Sequence, residues 1–559
     1  MTTDAHRIKL LKELLAERIL VLDGAFGTFV LGENLSAADY GGARYEGCNE
    51  NVVRTRPELI RRMHDGFLQV GADIVETASF QASPIVLAEY GLEQDTHELN
   101  RIAATLAREE AARFSTTDKP RFVAGSMGPT TKSISVTGGV TFDQMRDGYQ
   151  LQAEGLIEGG ADILILETVN DTLNCKAGLV GIEAAIAKLG VAPAVAVSGT
   201  IETMGTLLSG QDIEAFYTSL AHRDLLWMGL NCATGPDFMT DHLRTLSGIS
   251  KFFVACVPNA GLPDEEGHYN ETPAMLAGKI ARFAENGWVN LVGGCCGTTP
   301  EHIRLLVQAV AGKRPRERSN VRRSVVSGIE TLVIDNDTRP VIVGERTNVL
   351  GSRKFKRLIA EGKFEEASEI GRTQVRRGAQ VIDVNLQDPD RDEMSDVTRF
   401  LEIEVKKVKV PLMIDSTDHR VIEESLKRTP GKSLINSINL EDGEKRTSKV
   451  LPMAKRYGAA VIALTIDEDG MALTWQKKLA IAKRIFDLAV NKYGIRPCDL
   501  IFDALTLPIS TGQDDYRTAG IETLKAVKAI KTELPEVKTI LGVSNISFGL
   551  NVYSRRILN

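Results

Sequence analysis

The stretch Val289-Asn290-Leu291-Val292-Gly293-Gly294-Cys295-Cys296-Gly297 joins a short apolar run to two adjacent cysteines that are flanked by glycines. Two neighbouring cysteines can face one metal ion only where the backbone bends sharply, and glycine supplies the φ/ψ values of such a bend. A third thiol is available at Cys232, which directly follows another apolar run, Leu225 to Leu230. Three thiolates leave one position of a tetrahedral zinc ion open, as in catalytic sites. The alternative interpretation is that the pair is packed in a core, where cysteine is common.

Apolar runs of this kind occur eight times up to residue 292. They alternate with longer amphipathic segments, which is the pattern of repeated βα units in a parallel sheet. Eight strands are the number that closes a (β/α)₈ barrel. The predicted strands are Ile19 to Leu22, Asp73 to Val75, Phe122 to Ala124, Ile163 to Leu166, Ala194 to Val197, Leu225 to Leu230, Phe252 to Val257 and Val289 to Val292.

Polar or small residues follow each predicted strand. Because the active sites of such barrels lie at the carboxyl ends of the strands, we expect these groups to meet at one mouth. Cys232 ends strand six and Cys295-Cys296 follow strand eight, so only one strand separates them around a closed barrel. The other strand ends are Asp23-Gly24, Glu76-Thr77, Gly125 to Thr130, Glu167-Thr168, Ser198 to Thr200 and Pro258 to Gly261.

A second alternation begins at Val341 and contains seven apolar runs. A barrel without its eighth strand has two open edges. The predicted fold class is therefore α/β, with two (β/α)₈ TIM barrels in tandem and the second truncated after its seventh strand, in a fragment of a longer protein. The predicted domains are residues 1–312 and 340–559, joined by a linker at 313–339. The seven runs are Val341 to Val343, Val381 to Val384, Leu412 to Ile414, Leu434 to Ile435, Val461 to Leu464, Leu500 to Phe502 and Ile540 to Val543.

The composition is that of a protein with an ample core. Hydrophobic residues make up 43% of the 559 residues and charged residues 25%, as in globular proteins. The net charge of −7 gives no attraction for nucleic acid. Seven cysteines argue against a disulfide framework. Without a signal peptide or a bilayer-spanning run, we expect a cytoplasmic protein with no membrane partner. Four cysteines are interpreted as packing residues: Cys48, Cys175, Cys256 and Cys498.

The strand ends of the second unit are rich in Asp and Asn and carry neither Cys nor His. Carboxylates accept hydrogen bonds, whereas amides both donate and accept. Such a set suits a neutral ligand edge with adjacent donors and acceptors, and a pterin ring has such an edge.

The motifs resemble those of known families. The first unit is similar to homocysteine S-methyltransferase barrels through Asp23 to Thr28, Gly128-Pro129-Thr130, Asn231-Cys232 and Gly293 to Gly297. The second resembles the pterin-binding barrel of methyltetrahydrofolate methyltransferases through Gly344 to Asn348, Ile414 to Thr417, Ile435 to Ser437, Phe502-Asp503 and Val543 to Asn545. In this order, the two resemble the N-terminal half of the cobalamin-dependent methionine synthase family across nearly the whole chain.

The resemblance implies specific residues for the first site. Cys232, Cys295 and Cys296 would be catalytic zinc ligands, and Zn²⁺ would keep a bound homocysteine thiol deprotonated at neutral pH. Homocysteine would be bound by Asp23, Gly24, Thr77 and Glu167. Glu167 could hold its ammonium group and the N–H of Gly24 its carboxylate. The alternatives are a turn residue for Asp23 and a helix cap for Thr77.

For the second site, the resemblance implies that folate is bound by Asp415, Asn436, Asp503 and Asn545, with Asn385 as a neighbour. Methyl transfer from N5 of methyltetrahydrofolate requires a proton or a strong hydrogen bond at that nitrogen. We assign this hydrogen bond to Asn545, which would make it catalytic. The alternative for Asn436 and Asp503 is capping of the following helices.

A cobalamin-binding signature, Asp-x-His-x-x-Gly, is missing. Its nearest match, Asp95 to Asn100, has Asn in place of the glycine and lies in a helix-like stretch. Cobalamin would therefore be carried by a missing C-terminal region or by a separate protein. Two alternatives remain open: a cobalamin-independent homocysteine methyltransferase with a betaine or sulfonium donor, and a non-catalytic module that binds folate and zinc.

Overall fold

The computed structural model describes residues 5–510 and 516–558, and these form two compact units. The first runs to Val321, except for Thr218–Arg223, and the second contains that short segment and the residues from Arg322 onward. Each unit is built on its own parallel sheet.

The first unit is a closed barrel of eight parallel strands in the order β1-β8-β7-β6-β5-β4-β3-β2. A parallel bridge between Leu22 and Ile74 joins β1 to β2 and completes the circle. All eight predicted strands are confirmed, and strand seven separates strand six from strand eight as expected. The strands are β1 Leu20–Val21, β2 Ile74–Glu76, β3 Phe122–Met127, β4 Ile163–Val169, β5 Ala194–Gly199, β6 Trp227–Asn231, β7 Phe253–Val257 and β8 Leu291–Val292.

Helices surround this barrel and follow its strands. The first helix packs Leu11 and Leu15 into the same buried cluster as Leu20, Trp227 and Leu291 of the strands. The helices are α1 Ala5–Glu17, α2 Phe26–Gly32, α3 Val52–Thr55, α4 Pro57–Gln69, α5 Pro84–Leu87, α6 Thr96–Phe114, α7 Phe142–Glu158, α8 Thr172–Leu189, α9 Ile213–Leu220, α10 Pro236–Ile249, α11 Pro273–Glu285 and α12 Pro300–Val310.

The second unit is a parallel half-barrel of seven strands in chain order, preceded by the antiparallel hairpin β9 Val325–Ser327 and β10 Thr331–Val333. A second hairpin, β16 Ile466–Asp467 with β17 Gly470–Met471, interrupts the series. The parallel strands are β11 Val343–Gly344, β12 Val381–Val384, β13 Leu412–Asp415, β14 Leu434–Ile438, β15 Ala460–Leu464, β18 Leu500–Asp503 and β19 Lys538–Ile540.

The seven predicted strands are confirmed, but the last one was placed too late in the chain. It was predicted at Ile540 to Val543, whereas the ladder ends at Ile540, because its partner strand ends at the paired residue Asp503. Residues Val543–Ser547 instead form a short 3₁₀ turn. This difference changes the surroundings of Asn545.

The helices of the second unit are α13 Arg353–Ala360, α14 Phe364–Arg376, α15 Glu393–Lys407, α16 His419–Leu426, α17 Thr447–Tyr457, α18 Trp475–Phe486, α19 Ala519–Glu533 and α20 Val552–Leu558. Within the described residues, none of the helices is long and apolar enough to cross a bilayer. The sequence from Asp95 to Asn100, which partly matches a cobalamin signature, lies largely in α6.

Candidate metal and substrate sites

The three predicted thiols lie together at the mouth of the first barrel. The sulfur atoms of Cys232, Cys295 and Cys296 all lie within 4.8 Å of one another, and Sγ of Cys232 is 3.7 Å from Sγ of Cys296. Among the described residues, no His, Asp or Glu belongs to this group. All three residues are partly exposed, and Cys295 also packs against the core of the barrel.

A left-handed turn after β6 directs Cys232 toward the other two cysteines. Cys232 has φ 59° and Ala233 has φ 45°, a conformation that is uncommon for residues other than glycine. The N–H of Cys232 still donates to the carbonyl of Val257 at 3.2 Å. The thiol therefore leaves the strand direction at the last hydrogen bond of the ladder.

The glycines beside the cysteine pair have two different functions. Gly297 has φ 78° and supplies the predicted bend, but the prediction was wrong for Gly293 and Gly294, which are not left-handed. At these two positions there is no room for a side chain. A Cβ on Gly294 would lie 2.5 Å from Cγ2 of Thr298, and one on Gly293 would lie 2.8 Å from Cβ of Leu22.

Neighbouring loops fix the backbone of the cysteine pair. The N–H of Cys295 donates to the carbonyl of Pro258 at 2.8 Å, and the N–H of Cys296 donates to Oδ1 of Asn259 at 3.1 Å. The N–H of Gly297 donates to Oγ1 of Thr28 at 3.0 Å. The pair is thus held by residues that follow strands one and seven.

Hydrogen bonds among the thiols favour one thiolate. Bonds from Cys232 and Cys295 lower the pKa of Cys296 to about 3, and a bond from Tyr269 acts in the same direction. The bonds with Cys232 and Cys296 raise the pKa of Cys295 well above its usual range. For Cys232, the bond with Cys295 lowers the pKa, but the bond with Cys296 and burial together raise it to about 12.

The donor set fits a zinc ion. Zn–S bonds of about 2.3 Å in a tetrahedral arrangement place neighbouring sulfurs about 3.8 Å apart, close to the 3.7 Å between Cys232 and Cys296. Thiolates are soft ligands that favour zinc over magnesium or calcium. With three protein ligands, one tetrahedral position stays available to a fourth donor.

Three carboxylates share the mouth of this barrel. Burial raises the pKa of Asp23 and Glu76 well above the usual range, and the charge of Glu167 adds to the effect on both. Burial also raises the pKa of Glu167 to about 7, although a hydrogen bond from Ser126 opposes the shift. Among the described residues, no Lys, Arg or His forms an ion pair with these three. A bound cation would favour their ionised forms.

Thr77 and Gly24 lie beside these carboxylates. Oγ1 of Thr77 accepts from the N–H of Ser126 at 2.9 Å and shares a 2.6 Å hydrogen bond with Ser79, so its hydroxyl supports the residue that contacts Glu167. A Cβ on Gly24 would lie 2.8 Å from the ring of Phe67, which leaves no room for a side chain at this position.

In the second unit, four predicted folate residues lie at the ends of its strands. Oδ2 of Asp415 accepts from Nδ2 of Asn385 at 3.1 Å and from Nδ2 of Asn348 at 3.3 Å. Asn348 also donates to Asp383 at 3.0 Å, and the side chain of Asn436 interacts with the Asp383 carboxylate. Asn385, Asp415 and Asn436 therefore form one connected cluster.

Buried carboxyl groups lie both in this cluster and at the end of β18, where Asp503 stands. Burial, followed by the charge of Asp415, raises the pKa of Asp383 to about 8, and its buried Oδ1 has no hydrogen-bond partner among the described residues. Burial raises the pKa of Asp503 to about 6, although its bond from the N–H of Leu505 opposes the shift. The site therefore offers both carboxyl and amide groups to a ligand.

Asn545 is not part of this cluster. It lies on the 3₁₀ turn Val543–Ser547 and its side chain is exposed. Its amide nitrogen would lie 3.0 Å from a Cβ on Gly542, so it faces its own turn. Of the five predicted folate residues, four therefore lie on the parallel strands or directly after them, whereas Asn545 is exposed on a turn.

Sequence reasoning missed three residues of these sites. Glu76 was recognised as a strand end but was given no role, although it directly precedes Thr77. Asp383 lies inside β12, two residues before Asn385, and the alternation of side chains along a strand could have placed both on the same face. Tyr269 lies in a loop, and no pattern in the sequence distinguishes it.

Comparison with known proteins identifies the family. Residues 20–310 match the homocysteine S-methyltransferase family, which is more than half of the chain. The chain belongs to this family. It is therefore a methyltransferase of the type that acts on homocysteine, and residues 344–558 match the family of pterin-binding enzymes.

Among solved structures, the chain is similar to the homocysteine methyltransferase MmuM from Escherichia coli. The metallated form is 25% identical with a TM-score of 0.44, and the match covers 53% of this chain and 97% of that chain. The oxidized form is 22% identical with a TM-score of 0.42, covering 54% and 98% respectively.

Proposed function

We propose that this chain carries the homocysteine and folate modules of a cobalamin-dependent methionine synthase. The methyl group of 5-methyltetrahydrofolate would pass, by way of cobalamin, to homocysteine, giving tetrahydrofolate and methionine. The observation that carries the proposal is the presence, in one chain, of the three-thiol cluster and of a unit that matches pterin-binding enzymes. A methyltransferase that takes the methyl group directly from a betaine or sulfonium donor has no evident use for a pterin-binding unit.

The three cysteines would hold Zn²⁺. When bound, the ion would keep the thiol of homocysteine deprotonated at neutral pH. Cys232, Cys295 and Cys296 would supply three negative charges, so the substrate sulfur stays electron-rich. The open side of the cluster would receive the substrate.

The carboxylates of the same mouth would bind the amino-acid part of homocysteine. Its ammonium group would pair with the ionised carboxylate of Glu167, beside Asp23 and Glu76, and burial strengthens such a charge-assisted hydrogen bond. Thr77 would act indirectly, because it accepts a hydrogen bond from the N–H of Ser126, whose hydroxyl donates to Glu167. The N–H of Gly24 would donate to the substrate carboxylate.

In the second unit, Asn385, Asp415, Asn436 and Asp503 would hold the pterin ring, whose edge alternates donors and acceptors. When the methyl carbon leaves N5, the nitrogen keeps the bonding electron pair and takes up a proton. Asn545 would donate the hydrogen bond that assists this step, an effect of typically 10²- to 10⁴-fold. Since Asn545 is exposed, its turn would have to move toward the ligand.

The cobalamin would be a co-substrate delivered by another domain or protein.

The decisive experiment follows radiolabelled methyl groups from methyltetrahydrofolate to homocysteine with the full chain, with and without added reduced cobalamin. Labelled methionine that forms only with cobalamin supports the proposal. Transfer without cobalamin, or none with it despite folate binding, contradicts it.

The assignment of Asn545 has its own test. Asn545→Ala is expected to lower the rate of methyl transfer from bound methyltetrahydrofolate by at least about 100-fold. Weak folate binding with an undiminished rate of transfer would show that Asn545 binds the ligand but does not assist the reaction.

A further inference from the structure

Arg446 connects the ends of two neighbouring strands in the second unit. It precedes α17, and its guanidinium donates to three backbone carbonyls. Nε donates to the carbonyl of Ser437 at 2.9 Å, Nη2 donates to that of Ser416 at 2.7 Å, and Nη1 donates to that of Thr417.

These carbonyls belong to the residues that directly follow two proposed folate ligands. Ser416 and Thr417 come after Asp415 at the end of β13, and Ser437 comes after Asn436 in β14. Asp415 and Asn436 are themselves paired across the two strands. The guanidinium therefore holds the two strands one or two residues beyond the side chains that would contact the pterin.

The contact requires the shape of arginine. Guanidinium is planar and presents five donors in a fixed fork, whereas the ammonium of lysine is a compact charge on a flexible stem. A lysine could keep the positive charge near Asp415 but could not satisfy three carbonyls in this arrangement. Arg446 is partly buried, as are two of its three hydrogen bonds.

We propose that Arg446 is a positioning residue for folate: it fixes the separation and direction of Asp415 and Asn436, and thereby sets the affinity for the pterin ring. This inference rests on the proposed folate-binding function. It assigns a role to a residue outside the strand ends that the sequence motifs mark. No contact between Arg446 and the ligand itself is required.

The test compares Arg446→Lys with Arg420→Lys in the full chain. Arg420 has a 74% exposed side chain and pairs with Asp418, so its substitution is a matched control. Calorimetry with methyltetrahydrofolate is expected to show about tenfold weaker binding for Arg446→Lys, the size of coupling seen between contacting residues, and unchanged binding for Arg420→Lys. Arg446→Gln, which keeps two donors, is expected to be weakened as well.

A double-mutant cycle separates positioning from general stability. If Arg446 acts through Asp415, Arg446→Lys has much less effect on folate affinity when Asp415→Asn is already present. Additive effects, or folate binding by Arg446→Lys equal to that of Arg420→Lys, would overturn the inference. Failure of the unmodified chain to bind methyltetrahydrofolate would instead overturn the folate proposal on which it rests.

Discussion

Sγ of Cys232 lies 3.7 Å from Sγ of Cys296, although 64 residues separate them in the chain. The two cysteines follow strands that have one strand between them. They meet because Cys232 leaves its strand through a left-handed turn, φ 59°, and because the cysteine pair is held by hydrogen bonds to the loop after β7. The cluster is thus a product of three loops.

The first prediction concerns metal binding by this cluster. Cys232→Ala is expected to lower zinc affinity by at least about 100-fold. Loss of a residue that hydrogen-bonds to a metal ligand costs about 10- to 100-fold, and loss of the ligand itself should cost more. Zinc competition with a chromogenic chelator measures the change. Cys256→Ala is the control, since Cys256 is buried in β7 outside the cluster. Equal zinc affinity of the two variants would rule out the site.

Glu167 gives a pH dependence for homocysteine binding. Its pKa is raised to about 7, chiefly by burial, and only the ionised carboxylate attracts an ammonium group. Homocysteine affinity is therefore expected to fall as the pH is lowered through about 7. Glu167→Gln should bind about tenfold more weakly above pH 7 and lose most of this dependence. Calorimetry between pH 6 and pH 8.5 tests this, with the exposed Glu158→Gln as control. An unchanged profile in Glu167→Gln would contradict the assignment.

The raised pKa of Asp383 is expected to make the free energy of unfolding depend on pH. Its pKa is about 8 in the folded chain against an ordinary value of 3.8, because it is buried. Between about pH 4 and pH 8 the folded state therefore binds more protons than the unfolded state, so this group lowers the free energy of unfolding as the pH rises.

The substitution Asp383→Asn removes this titration. As the pH rises from 5 to 8, the free energy of unfolding of the variant is expected to increase by at least about 1 kcal/mol relative to that of the parent. Urea denaturation of the full chain measures this difference. The exposed Asp390→Asn serves as control. A constant difference between variant and parent across this range would show that Asp383 does not titrate there.

Tyr269 gives a prediction about metal retention. Its hydroxyl forms a hydrogen bond with Cys296, and its side chain packs on Gly297, where an added Cβ would lie 2.4 Å from Cβ of the tyrosine. Hydrogen bonds to metal ligands contribute 10- to 100-fold to affinity. Tyr269→Phe, which keeps the ring, is expected to bind zinc about tenfold more weakly. Tyr45→Phe is the control, and identical zinc affinities in the two variants would contradict the role.

Much of the fold could be predicted from the sequence, because its signals are local. Fifteen strands were predicted in order from apolar runs, and each has a counterpart in the two parallel sheets. Two were displaced in the second unit. The first was predicted at Val341 to Val343 and lies at Val343–Gly344, and the last moves from Ile540 to Val543 back to Lys538–Ile540. Its end is determined by the partner strand, which the run of apolar residues does not reveal.

The sites could be predicted only in part. Cys232 and Cys295-Cys296 were recognised because strand ends of a barrel meet at one mouth. Glu76 and Asp383 were missed because a carboxylate acquires its role from burial and from neighbouring charges, which come from other strands. Asn545 was grouped with four strand-end residues, but the structure has it exposed on a turn.

The sequence by itself determined the order of strands and which residues stand at their carboxyl ends, since both follow from the alternation of apolar and polar residues along the chain. Only the tertiary structure decided how these residues meet. The 3.7 Å between two sulfurs, the gathering of three buried carboxylates at one mouth and the three carbonyls bound by Arg446 all depend on loop conformations and strand register. Those are set by packing between segments far apart in the chain, which no local pattern encodes.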